Sequence, residues 1–282
     1  MLPLEQVIGE IETMDYSTVS YTPSAADIQC YRRLRIASVE LNRKILKTMP
    51  REALKSIASR LGLWKQDMLV LTHENEQSVL MDSCLYDWIH DGANAIEHYV
   101  KSHIPAPDSD EYELLAAYRR ASYRIVKVDS QIEGAGIYCS DFYSGDELFI
   151  MDMGFSISPV RNLAICTRAI FLNPFWMTTG AALPANLKTA REISVHLMKR
   201  KLLQNHLFTD QHETALTVIR MLLEQDANAN VEFHDMPMAT SSLPATNRNA
   251  PLSRATHPTS GPGRNSACPC GSGKRYKRCC GE

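Results

Sequence analysis

YRIVKVD (123–129), IEGAGIYCSD (132–141) and ELFIMDM (147–153) are three short segments in which β-branched and aromatic residues are frequent. Turn-forming residues separate them, and two more apolar segments follow, NLAICTRAIFL (162–172) and FWMTTGAAL (175–183). Four or five strands of this length, with glycine-bearing turns, predict a small antiparallel β module over residues 123–185. The alternatives for a five-stranded barrel are an SH3-like and an OB-like module.

The residues before this module predict helices, so residues 1–122 are expected to form an all-helical domain. Ser24 is the predicted N-cap of a long helix from about Ala25 to Thr48, in which apolar residues recur at helical spacing. Further helices are predicted over 2–14, 52–62, 74–90, 94–103 and 109–123. The basic residues of the long helix are expected on its solvated face: Arg32, Arg33, Arg35, Arg43 and Lys44.

Three segments follow the β module. Residues 186–233 predict two further helices that pack back onto the body. Residues 234–266 are rich in Ser, Thr, Pro, Asn and Ala, and they predict a flexible, disordered linker because they cannot bury enough apolar surface to offset the entropy of ordering. Residues 267–282 form a cysteine-rich tail. The predicted fold class is therefore α+β, with a C-terminal zinc knuckle.

The tail reads CPCGSGKRYKRCCGE (268–282) and holds four of the eight cysteines of the chain, Cys268, Cys270, Cys279 and Cys280. A segment this small has no apolar core, so a disulfide or a metal must hold its shape. Nothing in the sequence indicates export, and a reducing compartment favours a metal. Four thiolates satisfy the tetrahedral preference of Zn²⁺ and leave no open position, which indicates a structural site. The same ligands would also accept Fe²⁺.

This string resembles the SEC-C motif, the zinc-binding tail of the preprotein translocase ATPase SecA. The resemblance implies zinc at the four tail cysteines. It also implies a docking role, since the SecA tail contacts the export chaperone SecB and is linked to ribosomes. Partner binding is then expected at the residues between the ligand pairs, Lys274, Arg275, Tyr276, Lys277 and Arg278. None of the ATPase motor of SecA is present.

The body is similar to uncharacterised bacterial proteins that place a SEC-C motif after a helical and β-rich body. The resemblance lies in IEHYV (96–100) and GAGIYCSDFYSGDELFIMD (134–152). This resemblance implies no established activity.

Charge is distributed unevenly along the chain. From Ser241 onward there are seven Lys and Arg residues and one Glu, whereas the first 240 residues carry 23 Lys and Arg against 31 Asp and Glu. An acidic body argues against nucleic acid as a partner of the body. The amino terminus lacks a basic start followed by an apolar stretch, and no apolar run is long enough to span a membrane. These features predict a cytoplasmic protein.

The body offers few residues for catalysis. Asp82, Asp87 and Asp91 could gather with His90 around a divalent ion, although exposed acids are the simpler interpretation. The remaining cysteines are expected to be small buried residues: Cys30, Cys84, Cys139 and Cys166. The sequence therefore favours a non-enzymatic, zinc-binding adaptor whose tail docks on a protein partner. The alternative is an enzyme or nucleic-acid-acting factor with its site in the body, and a third interpretation is a helical scaffold.

Overall fold

A closed barrel of five strands lies at the centre of the part of the chain that the computed structural model describes, residues 21–158, 160, 162–203 and 211–225. The helices are α1 (Ala25–Thr48), α2 (Arg51–Arg60), α3 (Glu74–Asp87), α4 (Ala95–Ser102), α5 (Asp110–Tyr118), α6 (Met153–Ile157), α7 (Leu187–Leu203) and α8 (Gln211–Glu224). The strands are β1 (Trp64–Lys65), β2 (Met68–Leu69), β3 (Ser122–Ile132), β4 (Gly136–Asp141), β5 (Glu147–Met151), β6 (Leu163–Phe171) and β7 (Trp176–Asn186).

This architecture confirms the α+β class. Three of the expected segments lie outside the described residues: the helix over 2–14, the linker and the cysteine-rich tail. Two described elements were not predicted, the β1–β2 hairpin and the short helix α6. Both consist of pieces of five residues or fewer, which are too short to show a hydrophobic period.

The strand order around the barrel is β3-β4-β5-β7-β6, and β6 pairs with β3 to close it. All neighbours are antiparallel except β5 and β7, which are parallel at the pairs Ile150↔Trp176 and Met151↔Met177. Because β6 returns beside β3, β7 must fill the gap between β6 and β5, and its direction then matches that of β5. A helix between the third and fourth strands and a parallel closing pair are features of the OB-like alternative. The module predicted as antiparallel therefore contains one parallel pair.

Alternate side chains along the strands fill the inside of the barrel. Val126 and Val128 of β3, Ile137 of β4, and Leu148 and Ile150 of β5 belong to one buried cluster. Successive side chains of a strand point to opposite faces of the sheet, so the intervening residues face outward. Many of these outward residues are also apolar, so other elements of the chain must cover the outer surface of the barrel to keep these residues from water.

Helices provide that cover in two groups. The helices α1, α4 and α5 share a core with the β5 residue Phe149 and the β7 residue Met177. The helices α2, α3, α7 and α8 share a second core with outward residues of β3, β6 and β7, among them Ile125, Cys166 and Leu183. Helices that precede the barrel in sequence and helices that follow it thus pack on its outer surface. The domain boundaries predicted at residues 122 and 185 stay predictions.

The N-terminus of α1 confirms the predicted cap. The Ser24 hydroxyl accepts a hydrogen bond from the Asp27 backbone N–H, and the Asp27 carboxylate accepts one from the Ser24 N–H at 2.9 Å. The Ser24 hydroxyl also donates to Asp27 Oδ2 at 2.7 Å, and this bond, together with the one from the Ser24 N–H, lowers the pKa of Asp27 below its ordinary value. At the other end, Met49 is extended because it precedes Pro50, and the helix therefore stops at Thr48.

Ser24→Ala should lower the free energy of unfolding by about 1 kcal/mol, because the Asp27 backbone N–H loses its acceptor when the hydroxyl is removed. The Asp27 part of this capping box is present above the ordinary pKa of an aspartate and is lost as the pH falls through its lowered folded pKa. Urea unfolding at neutral and at strongly acidic pH would measure both effects. A Ser24→Ala variant as stable as the wild type at neutral pH would contradict the prediction.

Candidate functional site

The residues predicted to bind metal, Cys268, Cys270, Cys279 and Cys280, lie outside the described residues, as do the predicted partner-binding residues Lys274–Arg278. The chemistry of the donor set is nevertheless specific. Four thiolates in two close pairs can complete a tetrahedral shell around one ion, which fits Zn²⁺. Four neighbouring cations, Lys274, Arg275, Lys277 and Arg278, offset the net negative charge that such a shell carries.

The cysteines of the body differ from those of the tail in their surroundings. Cys84, Cys139 and Cys166 are buried, as predicted, whereas Cys30 is only half-buried. Burial raises the pKa of Cys84 and of Cys166 to about 12, so both remain protonated thiols at neutral pH. A protonated thiol is a poor metal ligand. Within the described ranges, no group of three or more His, Cys, Asp or Glu residues could hold a metal ion.

The acidic residues considered for a divalent ion serve another purpose. Asp82 and Asp87 do converge, but on a buried arginine: Arg168 Nε donates to Asp82 Oδ2 at 2.9 Å, and Arg168 Nη2 donates to Asp87 Oδ2 at 2.6 Å. Asp91 lies at the surface, 3.3 Å from His90 Nε2. The interpretation of these residues as exposed acids is therefore wrong for Asp82 and Asp87, which are buried. The divalent-ion alternative is not supported either, because the cation between the two inner carboxylates is a guanidinium.

Arg168 is the centre of a buried polar network between the barrel and α3, and the Asp87 Oδ1 atom of this network lies 3.5 Å from His212 Nδ1 of α8. Its side chain is 4% exposed, and that of Asp87 is 0% exposed. Thr179 Oγ1 donates to the second oxygen of Asp82 at 2.5 Å, and the guanidinium lies 4.5 Å from the centre of the Tyr86 ring. Burial alone would lower the pKa of Arg168, but Asp82 and Asp87 outweigh that effect and raise it. The arginine is permanently charged and its charge is compensated internally.

A second buried arginine, Arg35, joins α1 to β7, the strand that also carries Thr179. Arg35 Nη1 donates to the Thr178 carbonyl oxygen at 2.7 Å, and Nη2 donates to Thr178 Oγ1 at 2.9 Å and to Asp152 Oδ2 at 3.3 Å. The expectation that Arg35 lies on the solvated face of α1 is wrong. Arg35 follows the buried Leu34 and lies four residues after the buried Tyr31, so it falls on the edge of the inward stripe. The other four basic residues named for that helix are exposed.

Sequence reasoning missed both arginines as structural residues. For Arg168 a signal was present, because it is the only charged residue in the apolar run NLAICTRAIFL (162–172). A charge within a strand that is buried on both faces requires a buried partner. For Arg35 no such signal existed, since the helix carries five other cations.

The outer face of β4 and β5 is partly closed by the start of the described chain. Tyr21 packs on Phe149 with 5.4 Å between ring centres, and Tyr138 Oη donates to the Tyr21 carbonyl oxygen at 2.6 Å. Beyond these rings the face contains an open cavity of about 380 Å³. Its lining includes the acidic residues Asp129 and Glu147, and Ser140 donates a hydrogen bond to Asp129. In OB-folds this face binds oligonucleotides, but carboxylates repel phosphate.

A profile for a family of unknown function (DUF7986) matches residues 25–215, and a profile for the SEC-C motif matches residues 264–282. The predicted SEC-C motif is thereby confirmed. No solved structure matches the chain. None of the helices within the described ranges is long and apolar enough to cross a membrane.

Three curated relatives share short stretches with the chain. The protein translocase subunit SecA of Chlorobium phaeovibrioides is 36% identical over 72 residues, which are 26% of this chain and 6% of the relative. A UPF0225 protein of Serratia proteamaculans is 80% identical over 21 residues, 7% of this chain and 14% of the relative. A UPF0225 protein of Photorhabdus laumondii is 84% identical over 19 residues, 7% of this chain and 12% of the relative. The matched stretches thus span a small part of each relative's own length.

Proposed function

We propose that this chain, which belongs to the family of unknown function DUF7986, is a cytoplasmic adaptor whose SEC-C tail binds zinc and docks on a protein partner. The observation that carries the proposal is the SEC-C match over residues 264–282, which includes all four clustered cysteines. The motif is of a metal-binding type. Zinc is the proposed metal because the four cysteines of the tail can supply a closed tetrahedral set of thiolates.

The chemistry available in the body supports an adaptor over an enzyme. The two most buried charge networks, around Arg35 and Arg168, hold helices against the barrel. Their carboxylates are hydrogen-bonded to arginine or threonine, which leaves them committed to the fold. Groups used in this way are poorly placed to exchange protons with a substrate, since any change in their charge would leave a buried partner uncompensated.

The basic residues between the two cysteine pairs are the proposed contact surface for the partner. Lys274, Arg275, Lys277 and Arg278 surround Tyr276, and this composition favours an acidic protein surface with an apolar pocket for the ring. One relative is named a protein translocase subunit, and an export chaperone of the SecB type or the ribosome is therefore proposed as the partner. The body would engage a second protein.

The alternative function is a nucleic-acid-acting factor, and the OB-like strand order of the barrel is the observation in its favour. The open cavity on the outer face of β4 and β5 opposes it, because Glu147 contributes negative charge there and the charge of Lys127 is compensated by Asp129. This alternative would be supported if the intact protein bound oligonucleotides and still bound them after the tail cysteines had been replaced.

The test compares the intact chain with Cys279→Ser/Cys280→Ser as baits in affinity purification, with bound metal measured in both. The paired substitution should remove about one equivalent of metal, because two of four ligands are lost, and one specific partner should disappear with it. Cys30→Ser is the matched control, since it removes the half-buried thiol of the body, and it should retain metal and partner. Loss of metal with an unchanged set of partners would contradict the docking role.

A further inference from the structure

A buried carboxylate oxygen of the Arg168 network lies beside a histidine of α8. Asp87 is 0% exposed; its Oδ2 atom accepts a hydrogen bond from Arg168, whereas its Oδ1 atom accepts none within the described residues. His212 Nδ1 lies 3.5 Å from this Oδ1 atom, and the side chain of His212 is 34% exposed. Solvent can therefore supply a proton to His212, while the oxygen that faces the resulting charge is shielded from water.

The charges of the network are unequal in number. It contains one cation, Arg168, and two carboxylates, Asp82 and Asp87, so the ionised network carries one excess negative charge. A buried charge is costly unless an opposite charge compensates it. Protonation of His212 brings the sum to zero. A neutral imidazole can also donate to Asp87 Oδ1, but only the imidazolium supplies the missing positive charge.

The other groups around α8 do not supply that charge. The helix packs on α3, α7, β3 and β7, and next to His212 the carboxylate of Glu213 is paired with Arg60 of α2. Strand β7 has no titratable residue, and the buried residues of α7 are uncharged: Ala190, Ile193, Ser194 and Leu197. The dipole of α8 disfavours a cation in its first turn, so the buried carboxylate must outweigh this effect. Burial raises the pKa of the remaining groups near that carboxylate, which stay protonated: Cys84 and Tyr86 of α3 and Tyr123 of β3.

Asp82 is the competing site for a proton. Burial raises its pKa, and Arg168 opposes that effect. Both oxygens of Asp82 already accept hydrogen bonds, one from Arg168 and one from Thr179. Protonation of Asp82 would replace one of these acceptors by a donor. Protonation of His212 instead places a charged donor beside the Asp87 oxygen that lacks one, so the hydrogen-bond geometry favours His212.

From this geometry we propose that His212 is a pH-dependent latch of α8: in its protonated form it donates to Asp87 Oδ1, balances the buried network and holds the first turns of α8 on α3. Because docking favours the protonated imidazole, the stabilisation is fully present below the ordinary pKa of histidine, about 6.5. It is lost as the pH rises above the value at which the folded chain releases this proton. The turns that then loosen include Ala215 and Leu216, which are buried in the docked helix.

Amide hydrogen exchange over residues 214–219 of the full chain tests the proposal, after correction for the pH dependence of the chemical exchange step. The wild type should be about tenfold better protected at about pH 5.5 than at about pH 8, the effect of one hydrogen bond to a charged group. His212→Gln keeps a donor but takes up no proton, so it should show the lower protection at both pH values. His212→Lys carries a permanent cation and should show the higher protection at both.

The matched control is His196→Gln, which removes an exposed histidine of the neighbouring helix α7 and should retain the tenfold difference. Equal protection of the wild type at both pH values would overturn the proposal. So would a pH response that persists in His212→Gln or His212→Lys, since the proton would then reside on another group such as Asp82. A response of the same size over α1 would also overturn it, because the whole body rather than α8 would be responding.

Discussion

Arg168→Met should lower the free energy of unfolding by about 3–5 kcal/mol, the cost of removing one partner from a buried charge network. The substitution leaves the carboxylates of Asp82 and Asp87 buried without the guanidinium that compensates them. It also removes the cation from the face of the Tyr86 ring. Urea denaturation followed by circular dichroism would measure the loss, provided that the dependence of stability on urea concentration is unchanged.

Two further variants separate this effect from a general sensitivity to loss of arginine. Arg43→Met removes an exposed arginine whose partner Glu40 is also exposed, and it should change stability by less than about 0.5 kcal/mol. Arg168→Met combined with Asp82→Asn and Asp87→Asn removes the carboxylate charges together with the arginine. It should recover part of the loss, because uncompensated charge is the main cost. An Arg168→Met variant within 1 kcal/mol of the wild type would show that the network contributes little to stability.

Gly136→Ala should destabilise the barrel by about 3 kcal/mol, at the upper end of the usual cost of overpacking. A Cβ atom at this position would lie 2.1 Å from the Ile150 carbonyl oxygen and 2.9 Å from the Met151 Cα atom. Both are backbone atoms of the neighbouring strand, so no side-chain rotation can relieve the contact. The strands β4 and β5 would have to separate at the pair Gly136↔Met151, where β4 begins.

Gly134→Ala is the matched control for this prediction. Gly134 has a φ of +75°, and a Cβ atom there would meet nothing within 4 Å. Its substitution should cost only the strain of a left-handed conformation, about 1–2 kcal/mol. Thermal and urea unfolding of both variants would rank them. If Gly134→Ala proved more destabilising than Gly136→Ala, close approach of β5 to Gly136 would not be the dominant constraint.

Local patterns predicted most of the elements correctly. The long helix α1 begins after Ser24 and ends at Thr48, as its cap and the following Pro50 indicated. The five strands of the barrel lie where the five apolar segments predicted them. Capping residues, prolines and hydrophobic periods act between neighbours in sequence, so they can be recognised without knowledge of the rest of the molecule.

The same distinction between neighbouring and distant residues applies to the candidate site. The cysteines of the tail could be identified as candidate ligands from the sequence because all four lie within 13 residues, Cys268–Cys280. The fate of Asp82 and Asp87 could not, because their partner Arg168 is 86 and 81 residues away along the chain. The sequence of a cluster of acidic residues does not show whether a metal ion, solvent or an arginine from a distant strand compensates its negative charge.

The sequence by itself determined that this protein combines helices with a small β module and carries a SEC-C tail with four clustered thiols. Only the tertiary structure decided that the barrel contains a parallel β5–β7 pair and that Arg35 and Arg168 are buried. The physical reason is the separation of the interacting groups. Arg35 and its partner Thr178 are 143 residues apart, and such a contact exists only once the barrel has closed and the helices have packed on it.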